Sequence, residues 1–215
     1  MVGRYWGERR LYLGVIVLVV VMVGVVMLVR RPDQSTINNQ AVNNSARQTY
    51  ATLYDSLWRQ DSGQGSLLMT GTLLVPPMIA ALGQDTQRSG VEEQIWNTMK
   101  NITPGEIGFF ITLDSVTGFI SDADIQKTLS LEAGPDLTFQ LRAWEPIIGG
   151  ASPVNANVSV ASQRGLAIFT ADPGPDAPPI DWSTLNQVTL RATGLGDQPA
   201  RQFVWTQVGA LSKQE

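Results

Sequence analysis

The sequence predicts a mainly β protein: an N-terminal transmembrane helix followed by an Ig-like antiparallel β-sandwich with one or two flanking helices. Three observations carry this expectation. Residues 11–29 contain no charge, proline or strongly polar side chain, and the pairs Arg9–Arg10 and Arg30–Arg31 flank them. From Gly105 onward, short runs alternate apolar and polar residues with a period of two and are separated by Gly, Pro, Asp and Asn. That is the pattern of short, half-buried strands. Between these regions, two stretches space their apolar residues at helical intervals instead.

The apolar run sets the layout. A helix over residues 11–29 matches the roughly 30 Å hydrocarbon thickness of a bilayer. In lipid the backbone has little alternative to helix, because each unsatisfied polar group costs several kcal/mol. Arg30, Arg31 and Pro32 follow the run where a cleavable signal would carry small residues, so an uncleaved anchor is expected. Trp6 and Tyr12 fall at one headgroup boundary, and Arg30 and Arg31 at the other. Arg4, Arg9 and Arg10 before the run, against two arginines after it, bias the short tail slightly toward the cytoplasm. The expected organisation is a cytoplasmic tail (1–10), an anchor (11–29), a polar tether (30–44) and an extracytoplasmic domain (45–215).

In that domain, Ser45 and Gln48 have capping-box spacing, and Tyr50, Leu53, Tyr54, Leu57 and Trp58 follow at helical intervals. This aromatic face is expected to pack on its own domain. The alternative is contact with a neighbouring subunit or the membrane surface. In SLLMTGTLLVPPMIAAL, residues 66–82, Leu67, Met69, Leu73 and Val75 alternate up to the Pro76–Pro77 pair. A strand and turn are expected, with a re-entrant or second membrane segment as the other reading. Ser89 and Glu92 offer a second capping box for a short helix through Val91, Ile95 and Met99, ending near Lys100. The strand candidates are GFFITLDS, residues 128–132, LTFQLRAW, NVSVAS, LAIFT, NQVTLRA and QFVWTQ. The loop DPGPDAPPI (172–180) holds too many prolines to join a sheet.

Composition excludes more chemistry than the motifs suggest. The chain has no histidine and no cysteine. It therefore lacks the usual ligands of zinc, copper, haem iron and iron–sulfur clusters, and no imidazole can serve a Ser-His-Asp or Cys-His arrangement. No disulfide can staple the domain. Residues 32–215 hold ten basic and 18 acidic side chains, a net charge of −8. Such a surface repels nucleic acid and favours a basic partner, although the same charge also serves solubility. Asp122 and Asp124 lack the remaining ligands of a calcium loop and read as a turn. Asp114 and Glu145 would support glycoside chemistry only if brought close together. Lys100, Lys127 and Lys213 lie in no recognisable catalytic setting, and the five tryptophans beyond the anchor read first as packing residues. No catalytic, cofactor-binding or metal residue is assigned, and no cofactor is expected.

LDSVTGFISDADI, LRAWEPIIGG and QVTLRATGLGDQPARQFVW together resemble, over about residues 105–206, a pattern of membrane-anchored extracytoplasmic β-sandwich proteins of bacteria and archaea. That resemblance implies a histidine after the first strand and a histidine pair after the Gly-Gly. Here those positions hold Ser115–Val116 and, after Gly149–Gly150, Ala151–Ser152, so the metal role it implies has no ligands there. The expectation is a non-catalytic, single-span accessory or structural subunit of a membrane complex. It would contact lipid through residues 11–29 and other subunits through surfaces such as Tyr50, Leu53, Tyr54, Leu57 and Trp58. A bacterial respiratory or photosynthetic electron-transfer assembly is the setting that accords with such a subunit. The alternative is a free-standing Ig-like binding module for a peptide, glycan or small ligand.

Overall fold

The computed structural model describes residues 34–61, 65–133, 137–147, 160–171, 179–196 and 199–211. By its contacts the chain divides into Met1–Ala41 and Val42–Glu215. Of the first unit only the opening turns of helix α1 are described. The anchor expected at 11–29, with Trp6, Tyr12, Arg30 and Arg31, lies outside the described residues, as do most of the DPGPDAPPI loop and the Gly149–Gly150 pair. No helix among the described residues is long and apolar enough to cross a membrane.

Helix α1 runs from Gln34 to Leu57. It begins well before the expected cap at Ser45, so residues 34–44, expected as a tether, are helical in the described part. The reason lies in the contact stripe. Asn43 and Ala46 are buried along with Leu53 and Leu57, which carries the packed face about two turns upstream of Tyr50 on residues too small or too polar to register as apolar. Asn43 is held by its Oδ1, which accepts the Thr86 N–H at 2.7 Å.

Strands β1 (Trp58–Gln60) and β2 (Leu67–Leu74) follow. The expected turn at Pro76–Pro77 is instead the start of helix α2, Pro76–Gln84. Proline suits a helix's first positions, where the missing N–H has no intrahelical partner to lose. Helix α3 (Gly90–Met99) carries the expected capping box. The Ser89 Oγ accepts from Glu92 N–H at 3.3 Å, and the Glu92 carboxylate accepts from Ser89 N–H at 2.6 Å. Next come β3 (Glu106–Ser115), α4 (Asp122–Thr128), β4 (Leu129–Ala133) and β5 (Leu137–Pro146). The chain closes with β6 (Ala161–Thr170), a 3₁₀ turn at Trp182–Thr184, β7 (Gln187–Thr193), β8 (Ala200–Thr206) and α5 (Val208–Leu211). The end of NVSVAS and all of LAIFT, read as two strands, fall in the single strand β6.

The eight strands form one antiparallel sheet in the order β1-β2-β3-β6-β5-β4-β7-β8. Its fold-back is at β5. The first residues of β5 pair with β4, Leu131 opposite Phe139, and residues from Gln140 onward pair with β6 across an irregularity between Leu141 and Ala143. Sharing one strand turns the sheet onto itself, the device by which corners join orthogonal sheets. The halves are thus continuous through β5, not the two separate sheets of the expected Ig-like sandwich. They meet face to face in a sandwich-like or barrel-like core. The Phe109 ring on β3 lies 5.1 Å from Trp205 on β8 and 5.7 Å from Phe169 on β6. Gly71 on β2 faces Leu190 and Trp205 across the interior.

Side-chain alternation predicted one solvated face for β3 and β6. In the structure both faces of their middle portions are buried. Ile107, Phe109 and Ile111 point into the core, while Phe110, Leu166 and Ile168 occupy the outer face, where helical side chains lie against it. A strand covered on both sides reads as a near-continuous apolar run, as GFFITL and LAIF do.

Candidate functional site

Because the interior is filled by aromatic and aliphatic side chains, the space available to a ligand lies on the outer face. One such opening is a groove of about 620 Å³. Arg47, Tyr50, Tyr54 and Asp55 of α1 form one wall, Asp85, Ser89 and Glu92 form another, and Phe110, Thr112 and Arg164 of the sheet form the floor. The helical period places Tyr50 and Tyr54 one turn apart, with their rings 5.9 Å from one another.

Much of the groove's charge is committed within the domain. Arg47 donates from Nε to Asp85 at 2.9 Å and from its terminal nitrogen to the Gln87 carbonyl at 2.8 Å. Burial pushes the Asp85 carboxyl up, but the Gln87 N–H and the Arg47 guanidinium outweigh it and hold the group below its ordinary value. Glu92 is engaged in the capping box. Burial, followed by the charges of the Glu92 carboxylate and the Tyr54 phenol group, pushes the Tyr50 phenol well above its usual range, so it remains a neutral donor.

Three kinds of group are left uncommitted. Neither tyrosine hydroxyl nor the Asp55 carboxylate has a hydrogen-bond partner among the described residues. The third is Arg164. Every other described arginine has a partner: Arg47 with Asp85, Arg59 with backbone carbonyls, Arg88 with Glu93, Arg142 with Glu106, Arg191 with Glu132 and Arg201 with Asp61. Arg164 is half-buried, and its guanidinium makes no hydrogen bond or ion pair among the described residues. It also borders a second cleft of about 210 Å³, lined by Phe119, Asp122, Trp144 and Ile147. Sequence reading passed over Arg164, since an arginine inside an alternating strand carries no local sign that its partner is missing.

The structure disperses the other candidates. Leu53 and Leu57 are core residues, Tyr50 and Tyr54 line the groove, and Trp58 lies on β1, 38 % exposed. Asp114 stands opposite Ser162 and Glu145 opposite Leu166, four residues along β6. Strand geometry puts their α-carbons roughly 16 Å apart, against the roughly 5–9.5 Å between carboxyl groups in glycoside hydrolysis. Glu145 instead accepts from Thr98 Oγ1 at 2.8 Å. Asp124 sits in the first turn of α4, capped by Ser121, and Asp122 accepts the Trp144 indole N–H at 3.0 Å. Lys100 lies over the Trp96 ring, 4.0 Å from its centroid. Lys213 is outside the described residues. Among the described residues no group of three or more Asp or Glu side chains is placed to hold a metal ion.

Fold and groove together define a mainly β domain: an eight-stranded antiparallel sheet, closed on its own core, that carries an open helix-walled groove. In comparisons with known proteins, the chain matches no protein family and no curated protein.

Proposed function

We propose that this chain is a non-catalytic accessory subunit of a multi-subunit membrane complex, anchored by residues 11–29, and that its domain stands outside the cytoplasm and grips a partner through the groove. The observation that carries this reading is the set of uncommitted groups in one open groove: two phenols, one carboxylate and one half-buried guanidinium whose side chains find no partner among the described residues. Pockets that recognise ligands combine an apolar lining with a few such placed polar groups. The apolar run between arginine pairs and the absence of histidine and cysteine support the same reading. So does the resemblance of residues 105–206 to membrane-anchored extracytoplasmic sandwich proteins. A respiratory or photosynthetic electron-transfer assembly is the setting in which a one-span subunit without cofactors fits best.

A photo-crosslinking residue at Tyr54, with a control at exposed Gln202 on β8, tests this in native membranes. The expected result is a discrete adduct from Tyr54 alone, and migration with a larger assembly in mild detergent. A protein that emerges alone and crosslinks from neither position overturns the reading. One that emerges alone yet binds a soluble ligand supports the free-standing module instead.

A further inference from the structure

Arg164 is anomalous on energetic grounds. Partial burial strips water from a guanidinium, and that loss is ordinarily offset by an anion or a set of carbonyls. On β6 it stands opposite Thr112, two residues from Asp114, which faces Ser162. Such diagonal neighbours are separated by about 7–8 Å, and the pair forms no ion pair; one Asp114 carboxylate oxygen is buried without a hydrogen bond. The guanidinium therefore lies where the groove beneath α1 and the cleft beside Phe119 and Trp144 both reach it. Phe119 is 78 % exposed, on a loop fixed at its end by paired hydrogen bonds between Ile120 and the Gln163 amide, 2.7 Å each.

We propose that Arg164 anchors an extended segment of a partner protein, receiving the carboxylate of one acidic side chain while the flanking residues rest on Tyr50 and Tyr54 on one side and on Phe119 and Trp144 on the other. This rests on the accessory-subunit reading and names the chemistry that its groove takes. The planar fork of arginine matches a carboxylate through two parallel hydrogen bonds. The surroundings limit the ligand to a single negative charge. Asp55 and Glu92 line the groove, Asp122 lines the cleft, and residues 32–215 carry a net −8. A doubly charged phosphate or an anionic bilayer would be repelled, whereas one acid with neutral or basic neighbours leaves Asp55 free to meet a basic residue.

The test pans the full-length protein, in detergent micelles, against a phage-displayed library of random peptides. The affinity of the selected synthetic peptide is then measured by fluorescence anisotropy. Selected sequences are expected to share one acidic position. Arg164→Met weakens binding at least tenfold, and Arg164→Lys falls between. Replacing the peptide's acid by its amide costs the wild type as much and costs Arg164→Met nothing more; this arm needs no altered protein to fold. The proposal is overturned by no enriched sequence, by no common acidic position, by binding to folded Arg164→Met within twofold of wild type, or by displacement with inorganic phosphate as easily as with acetate. Arg164-dependent peptide binding by a protein that nonetheless migrates alone in its native membrane would refute the subunit reading and leave this inference standing. An intact assembly with no Arg164 dependence would do the reverse.

Discussion

Arg201→Met should be among the most destabilising single changes in the domain. Arg201 sits on β8 with its side chain 1 % exposed. Its Nε donates to the Asp61 carboxylate at 2.6 Å, one terminal nitrogen donates to the Leu67 carbonyl at 3.0 Å, and the other donates to the Leu195 carbonyl. These bonds tie the end of β1 and the start of β2 to β8, at opposite ends of the strand order. Methionine fills comparable space and removes the cost of burying a cation. It also deletes charge-assisted hydrogen bonds contributing about 1.5–3 kcal/mol each, and it leaves a buried carboxylate facing an apolar side chain. Removing one member of a buried pair typically costs about 3–5 kcal/mol. With a urea slope of about 2–3 kcal/mol/M, the unfolding midpoint of Val42–Glu215, the second compact unit, falls by about 1–2 M. Adding Asp61→Leu recovers part of the loss. A cost below about 1 kcal/mol, or a double variant no better than the single one, would refute the reasoning.

Two glycines separate rigid from yielding neighbours. A Cβ at Gly165 would overlap the Trp144 indole, whereas one at Gly108 would meet the thioether end of Met99. Gly165→Ala should cost roughly 1–3 kcal/mol by overpacking and loosen the Trp144–Asp122 hydrogen bond, while Gly108→Ala should cost under about 1 kcal/mol because methionine adapts; equal costs in urea titrations refute the distinction. Acid stability gives a third check. The folded pKa of Asp85 lies below its ordinary value of 3.8, so its contribution is complete above that value and is lost as pH falls through the lower folded one. Glu93, lowered first by its hydrogen bond from Arg88, acts in the same direction. Asp85→Asn should therefore lower stability at pH 7 and flatten the acid-side decline; an unchanged slope in denaturation curves below about pH 4 would remove Asp85 from the account.

Local signals were legible where a few neighbouring residues suffice to fix the conformation. Ser89 and Glu92 close a capping box over one turn, and GFFITLDS and LTFQLRAW mark strands by their own side-chain sequence. The failures share one cause. Pro76–Pro77 looked like a stop because the same residues that break a helix interior also begin a helix, and only the core beneath Met78 and Leu82 distinguishes the two. Residues 34–44 looked like a tether because Asn43 is held by Thr86, far away in the chain.

By itself, the sequence determined the chemistry this protein forgoes, the phase of its strands, its acidic balance and the apolar run near its beginning, all of which are properties of composition or of neighbouring residues. The tertiary structure alone decided the sharing of β5 between two halves of one sheet, the covering of β3 and β6 on both faces, and the placement of the Arg164 guanidinium beside an open groove. Those depend on which distant segments meet across strands and helices. A period of two or of three to four residues states which side a residue faces, and only the packed fold supplies what it faces.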